Sequence, residues 1–190
     1  MGHQACLVVA RNVAEHVDAV AVPHKGVDTY TEAEVRTLLT ALAHDRLAHA
    51  WELALCGLRR GEIAGLRWTD VDLDKKMLSI ANNRVSADGR AVENDPKSPT
   101  SRRTLPLPDR LVSVLRAAKA RQAGERLALG ASYRSGDYDV SNEIGDPYSP
   151  AVLSRYWRDA VKDAGLRHIK PHAARHTAGH ICICRGFLWR

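Results

Sequence analysis

Several things are scarce in this sequence. It has a single phenylalanine, and aromatic residues make up 5% of its 190 residues. Its core must therefore come mainly from aliphatic side chains. No apolar run approaches the roughly 18 residues of a membrane span. The opening MGHQACLVVA lacks the basic segment and the length of a secretion signal. These absences set the expectation of a soluble, cytoplasmic chain. The four cysteines, Cys6, Cys56, Cys182 and Cys184, do not space as a disulfide framework. Cys56 lies in an apolar run and reads as a small core residue. Apolar content itself is not scarce: 45% hydrophobic residues exclude general disorder, and the length suits one domain with a real core. Lys and Arg number 28 against 22 Asp and Glu, a net +6 that only weakly favours an anionic partner.

Periodicity gives an order of helices, a small antiparallel sheet, then helices. Residues 1–28 have no long apolar face and read as a linker or a remnant of a preceding domain. Thr31-Glu32-Ala33-Glu34 is a capping box, followed by Val35, Leu38, Leu39 and Leu42 at helical spacing. A second helix is expected over residues 45–56, ended by Gly57, with a short helix through Glu62 to follow. Residues 69–74 form a turn-rich link and residues 76–81 a strand. Asp88-Gly89 between Val85 and Val92 signals a hairpin, and residues 102–107 are a further strand. Asp109 is expected to cap a long amphipathic helix. Residues 129–148 read as a polar loop, residues 149–164 as a helix, and a last helix starts near His172 after Lys170-Pro171. Trp51, Trp68 and Trp157 are expected in the core.

Basic residues recur at the ends of these elements. Arg59 and Arg60 sit in the turn Gly57-Leu58-Arg59-Arg60-Gly61-Glu62, where a helix start favours an anion. Lys97 lies in a loop before the strand at 102–107. His172 and Arg175 are three apart at a helix start and share one face. One guanidinium and one imidazole there suit a phosphoryl group. Singly, each has an ordinary reading too, as a capping arginine, a solvated lysine or a capping histidine.

Taken in order, four blocks resemble the catalytic domain of the tyrosine recombinases, the phage-integrase family. They are Ala54-Leu55-Cys56-Gly57-Leu58-Arg59-Arg60-Gly61-Glu62-Ile63; Leu66-Arg67-Trp68-Thr69-Asp70-Val71-Asp72; Pro96-Lys97 with Ser101-Arg102-Arg103-Thr104-Leu105-Pro106-Leu107-Pro108; and Pro171-His172-Ala173-Ala174-Arg175-His176-Thr177. The resemblance implies an α+β, mainly helical domain over residues 29–180, with a small three-stranded antiparallel sheet, and a divergent tail at 181–190. It implies site-specific recombination or integration of DNA. Arg59 and Arg175 would grip the non-bridging oxygens of the scissile phosphate, Lys97 would act as general acid, and His172 would assist proton transfer. Glu62 and His176 would support them. Arg60, Arg102 and Arg103 would meet the DNA backbone, although Arg102 and Arg103 read equally as charges that keep an edge strand soluble. The partner implied is double-stranded DNA, bound by a homotetramer in an intact family member. No metal, nucleotide cofactor, small-molecule substrate or membrane is implied.

The sequence also departs from the family. The nucleophilic tyrosine there follows the second arginine, whereas Tyr30, Tyr133, Tyr138, Tyr148 and Tyr156 all precede His172. The expectation is a catalytic domain without its nucleophile, and the alternative function is a non-catalytic DNA-binding remnant. Ala173 and Ala174 stand where the family has larger residues. His172, His176, His180 and Cys184 are spaced by four, with zinc-type donors, but four ligands over three turns of one helix cannot close around one ion, so no metal site is expected.

Overall fold

The computed structural model describes residues 28–87, 90–94, 103–134 and 136–181. Helix α1 (Glu32–Ala41) starts where the capping box predicts. The Thr31 hydroxyl accepts from the Glu34 amide, and Glu34 accepts from the Thr31 amide. Its Val35, Leu38 and Leu39 are buried. Helix α2 (Ala48–Leu55) begins later than the expected residue 45, because Asp45 turns back to accept from the Leu47 amide at 2.5 Å. It is nearly all buried and forms the centre of the domain. Gly57, at φ 96, ends it in a left-handed conformation open to glycine. Leu58 then folds under, and its amide reaches the Leu53 carbonyl at 3.1 Å. Helix α3 (Arg60–Gly65) follows at once.

The expected three-stranded sheet is present, but its members differ from the sequence reading. Strand β1 (Val71–Asp72), inside the segment read as a link, pairs with β2 (Met77–Ile80), and β2 pairs with β5 (Arg103–Pro106), all antiparallel. The hairpin β3 (Asn83–Ala87) and β4 (Arg90–Asn94) stands apart as a second, two-stranded sheet. Ile80 faces Arg103 and Asn83 faces Asn94.

Helix α4 (Asp109–Leu129) takes Pro108, not Asp109, as its N-cap. Asp109 is already helical, and its carboxylate accepts from Lys76 Nζ at 2.6 Å. Helix α5 (Pro150–Asp163) has Ser149 as N-cap, with the hydroxyl accepting from the Val152 amide. Helix α6 (Pro171–Ile181) packs on α2. Its small residues close this contact: Ala174 and Thr177 are fully buried, and the Thr177 hydroxyl accepts from the Tyr30 amide at 3.2 Å. Trp51, Trp68 and Trp157 lie in one aliphatic core, with Trp51 and Trp157 in edge-to-face contact at 5.5 Å. Cys56 is only half-buried at its edge.

The loop at 129–148 is more ordered than a polar loop. Asp137 and Asp139 pair by backbone with Trp68 and Leu66, and Val140 is fully buried. Among the described residues, no helix is long and apolar enough to cross a membrane.

Candidate nucleic-acid interface

The left-handed turn at Gly57 throws Arg59 to the start of α3 in an extended conformation. Three residues on, Glu62 reaches back. Its Oε2 accepts from the Arg59 amide at 2.7 Å and its Oε1 from Arg59 Nη1 at 2.8 Å. The same carboxylate takes Arg103 Nη1 and Nη2, both at 2.9 Å, from strand β5. Glu62 is buried. Burial alone would raise its pKa, but the Arg103 hydrogen bonds, then the Arg59 amide and guanidinium, outweigh it and hold the carboxyl below its usual range.

Helix α6 brings the other half. Trp157 Nε1 donates to the Ile169 carbonyl at 2.7 Å, and Tyr30 Oη donates to the Arg167 carbonyl at 2.9 Å. These bonds fix the chain just before Pro171. One turn into the helix, Arg175 is half-buried, and no hydrogen bond or ion pair among the described residues holds its guanidinium. Its pKa is lowered by burial first and then by repulsion from Arg59, with Glu62 opposing and Arg103 adding to the repulsion. It nevertheless stays charged at any ordinary pH. Two guanidiniums therefore share one carboxylate with a third close by, and positive charge is left over.

A cleft of about 570 Å3 opens beside this cluster. Arg59 and Arg60 line it from the start of α3, Arg84 from β3, and Lys170 and His172 from the start of α6; among the described residues, no acidic one lines it. Arg60 Nη1 also donates to Ser154 Oγ on α5 at 2.6 Å. Strand β3 forms the wall because glycine lets it approach. A Cβ on Gly61 would meet Asn83 Oδ1 and lie 2.6 Å from the Arg84 carbonyl oxygen, while one on Gly65 would lie 3.2 Å from the Arg84 amide. His172 and His176 are one turn apart, with their rings edge to face at 5.2 Å. Among the described residues, no group of three or more His, Cys, Asp or Glu could hold a metal ion.

Arg59, Arg60 and Gly61 of the first sequence block and Pro171 and His172 of the last line this one cleft. The sequence profile of the phage integrase family matches residues 29–187. The chain belongs to the phage integrase family. It is 31% identical over 164 residues to a XerC-like tyrosine recombinase of Caldanaerobacter subterraneus subsp. tengcongensis, covering 80% of this chain and 42% of that protein. It is 32% identical over 187 residues to an integrase of Streptomyces ambofaciens, covering 94% and 48%. The fold is similar to that of the Tn1549 transposon integrase solved with transposon right end DNA, with a TM-score of 0.66, 18% identity, and 88% and 56% covered. It is also similar to XerA recombinase, with a TM-score of 0.62, 24% identity, and 87% and 52% covered. The chain spans about half the length of the relatives it matches.

In this integrase-family domain, the structure brings Arg59, Glu62, Arg175 and His172 to one place. Lys97 and Arg102 lie outside the described residues. Arg103, expected either on DNA or as an edge-strand charge, has its guanidinium on Glu62. Arg84 and Lys170 were not singled out from the sequence. Lys170 adjoins the helix-breaking Pro171 and could have been noticed as a cation at a helix start; Arg84 carries no local signal, since only its packing against α3 turns it to the cleft.

Proposed function

We propose that this integrase-family chain binds double-stranded DNA through the basic cleft and holds one phosphate of the backbone for site-specific recombination or integration of phage-like DNA. The observation that carries this reading is the charge imbalance around Glu62. One buried carboxylate serves Arg59 and Arg103 while Arg175 stands beside them without an acidic partner. Phosphoryl transfer spreads negative charge over the non-bridging oxygens, and guanidiniums fixed beforehand stabilise it without reorganising. In this reading Arg59 and Arg175 grip those oxygens and His172 assists proton transfer. A tyrosine oxygen attacks phosphorus, the bond to the 5′-oxygen breaks, and Lys97 gives that oxygen its proton, leaving a 3′-phosphotyrosyl link. The chemistry calls for no metal and no nucleotide cofactor. It takes place on DNA in the cytoplasm, with four protomers assembled in an intact family member.

A second reading, DNA binding without cleavage, is favoured by one observation. None of Tyr30, Tyr133, Tyr138, Tyr148 and Tyr156 lines the cleft. A nicked suicide duplex separates the two readings, because cleavage traps a covalent protein–DNA adduct. For this chain alone the expected result is no adduct, with salt-dependent binding retained. Binding that is absent at low salt, or unchanged by Arg59→Ala and Arg175→Ala, overturns both readings.

A further inference from the structure

Resting on the DNA-binding reading, we infer that Arg84 is a second phosphate contact in the cleft, taking a phosphodiester next to the one held by Arg59 and Arg175. The guanidinium is oriented before any ligand arrives. Its Nη1 donates to the Tyr148 carbonyl at 3.2 Å, and its Cζ lies 5.2 Å from the centre of the Tyr138 ring. Tyr138 is itself fixed: Arg67 lies 4.9 Å over the same ring, and the Tyr138 hydroxyl donates to Glu93, which also takes Arg67 Nη2 at 2.7 Å. Glu93 is therefore already engaged by Arg67 and Tyr138. Among the described residues, no carboxylate lies within ion-pair distance of Arg84, although Glu93 feels its charge, and its buried Nε has no hydrogen-bond partner.

The strand beneath is fixed as well, since the Arg84 backbone lies against Gly61 and Gly65. Arg84 thus lines the same cleft as Lys170 and His172 at the start of α6 and Arg59 and Arg60 at the start of α3. A stacked, tethered guanidinium loses little freedom on gripping a phosphate. A cleft walled by cations from three elements, with no acid among the described residues, suits a run of backbone rather than a single anion.

The test is binding of a short fluorescent duplex over a salt series, with intact chain and variants. Arg84→Gln keeps an apolar stem and an amide donor and removes the charge along with the guanidinium stacked on Tyr138. It is expected to weaken binding roughly tenfold at low salt and to make the plot of log K against log salt shallower by about one contact. Arg84→Lys is expected to keep the wild-type slope. A wild-type slope for Arg84→Gln overturns the inference even if affinity falls, because a residue that only props the strand changes affinity without changing the number of phosphates held. Should Arg84→Gln unfold, a shallower slope for Arg84→Lys would overturn it as well. The broader reading fails separately: wild-type chain that binds no duplex, or whose Arg59→Ala variant binds equally well, sinks it before any Arg84 variant is measured.

Discussion

Arg103 lays both terminal nitrogens on Glu62, Nη1 on Oε1 and Nη2 on Oε2, each at 2.9 Å. A residue of the sheet thereby locks the acid that orients Arg59 at a helix start. The pair is the joint between the three-stranded sheet and the cleft. A bidentate guanidinium on a buried carboxylate is among the stronger polar contacts available to a protein.

Removing Glu62 leaves Arg59, Arg103 and Arg175 facing each other. Glu62→Ala is expected to lower stability by about 2–4 kcal/mol. The measurement is urea unfolding, read as a lower midpoint at unchanged slope. Glu62 also sets an acid limit. Its folded pKa lies below the ordinary 4.5, so its contribution is complete above 4.5 and is lost as pH falls through the folded value. Glu62→Gln should flatten that acid limb.

Gly61 and Gly65 predict a graded pair. Gly61→Ala drives a methyl into Asn83 and the Arg84 carbonyl, which is backbone and cannot swing away. A cost of about 1–3 kcal/mol is expected, with weaker DNA binding because the β3 wall moves. Gly65→Ala meets its nearest atom at 3.2 Å and should cost less. Thermal unfolding of the two variants side by side checks the order.

Asp139 predicts an opposite pH dependence. It is fully buried, neither carboxylate oxygen has a hydrogen-bond partner among the described residues, and His49 Nε2 is 3.9 Å from Oδ1. Burial pushes its pKa up to about 8, with Arg121 opposing. Its stabilising share is therefore complete below the ordinary 3.8 and is lost as pH rises towards about 8. Asp139→Asn should gain on wild type as pH rises from 5 to 8, when unfolding midpoints are compared across that range. Equal slopes for the two proteins would contradict the assignment.

Trp157 predicts a structural effect at a distance from the cleft. Trp157→Phe keeps most of the ring packing but leaves the Ile169 carbonyl without its donor. A loss of about 1–3 kcal/mol is expected. Because that bond fixes the chain entering α6, DNA affinity should fall too. Calorimetric unfolding and duplex titration of the same sample test both parts.

Local chemistry was legible in the sequence. The Thr31-to-Glu34 capping box, the Asp88-Gly89 hairpin signal and the apolar stripes of α1 and α5 each depend on residues a few positions apart, so the chain announces them. The four ordered blocks carried the family and the α+β fold. Less legible were features set by distant partners. Strand β1 has two residues and exists only because β2 pairs with it. Asp139, in a stretch that reads as a polar loop, is buried because Leu66, His49 and Gln122 bond its backbone.

The sequence by itself determined the kinds of element, their order, the excess of positive charge and the candidates Arg59, Glu62, His172 and Arg175. Only the tertiary structure decided which cations share an acid and which keep their charge for a ligand. Arg103 and Arg84 look alike in sequence, each an arginine on a short strand. One is neutralised on Glu62, while the other is stacked on Tyr138 and open to the cleft. That difference arises from contacts between residues far apart along the chain, and no local pattern encodes them.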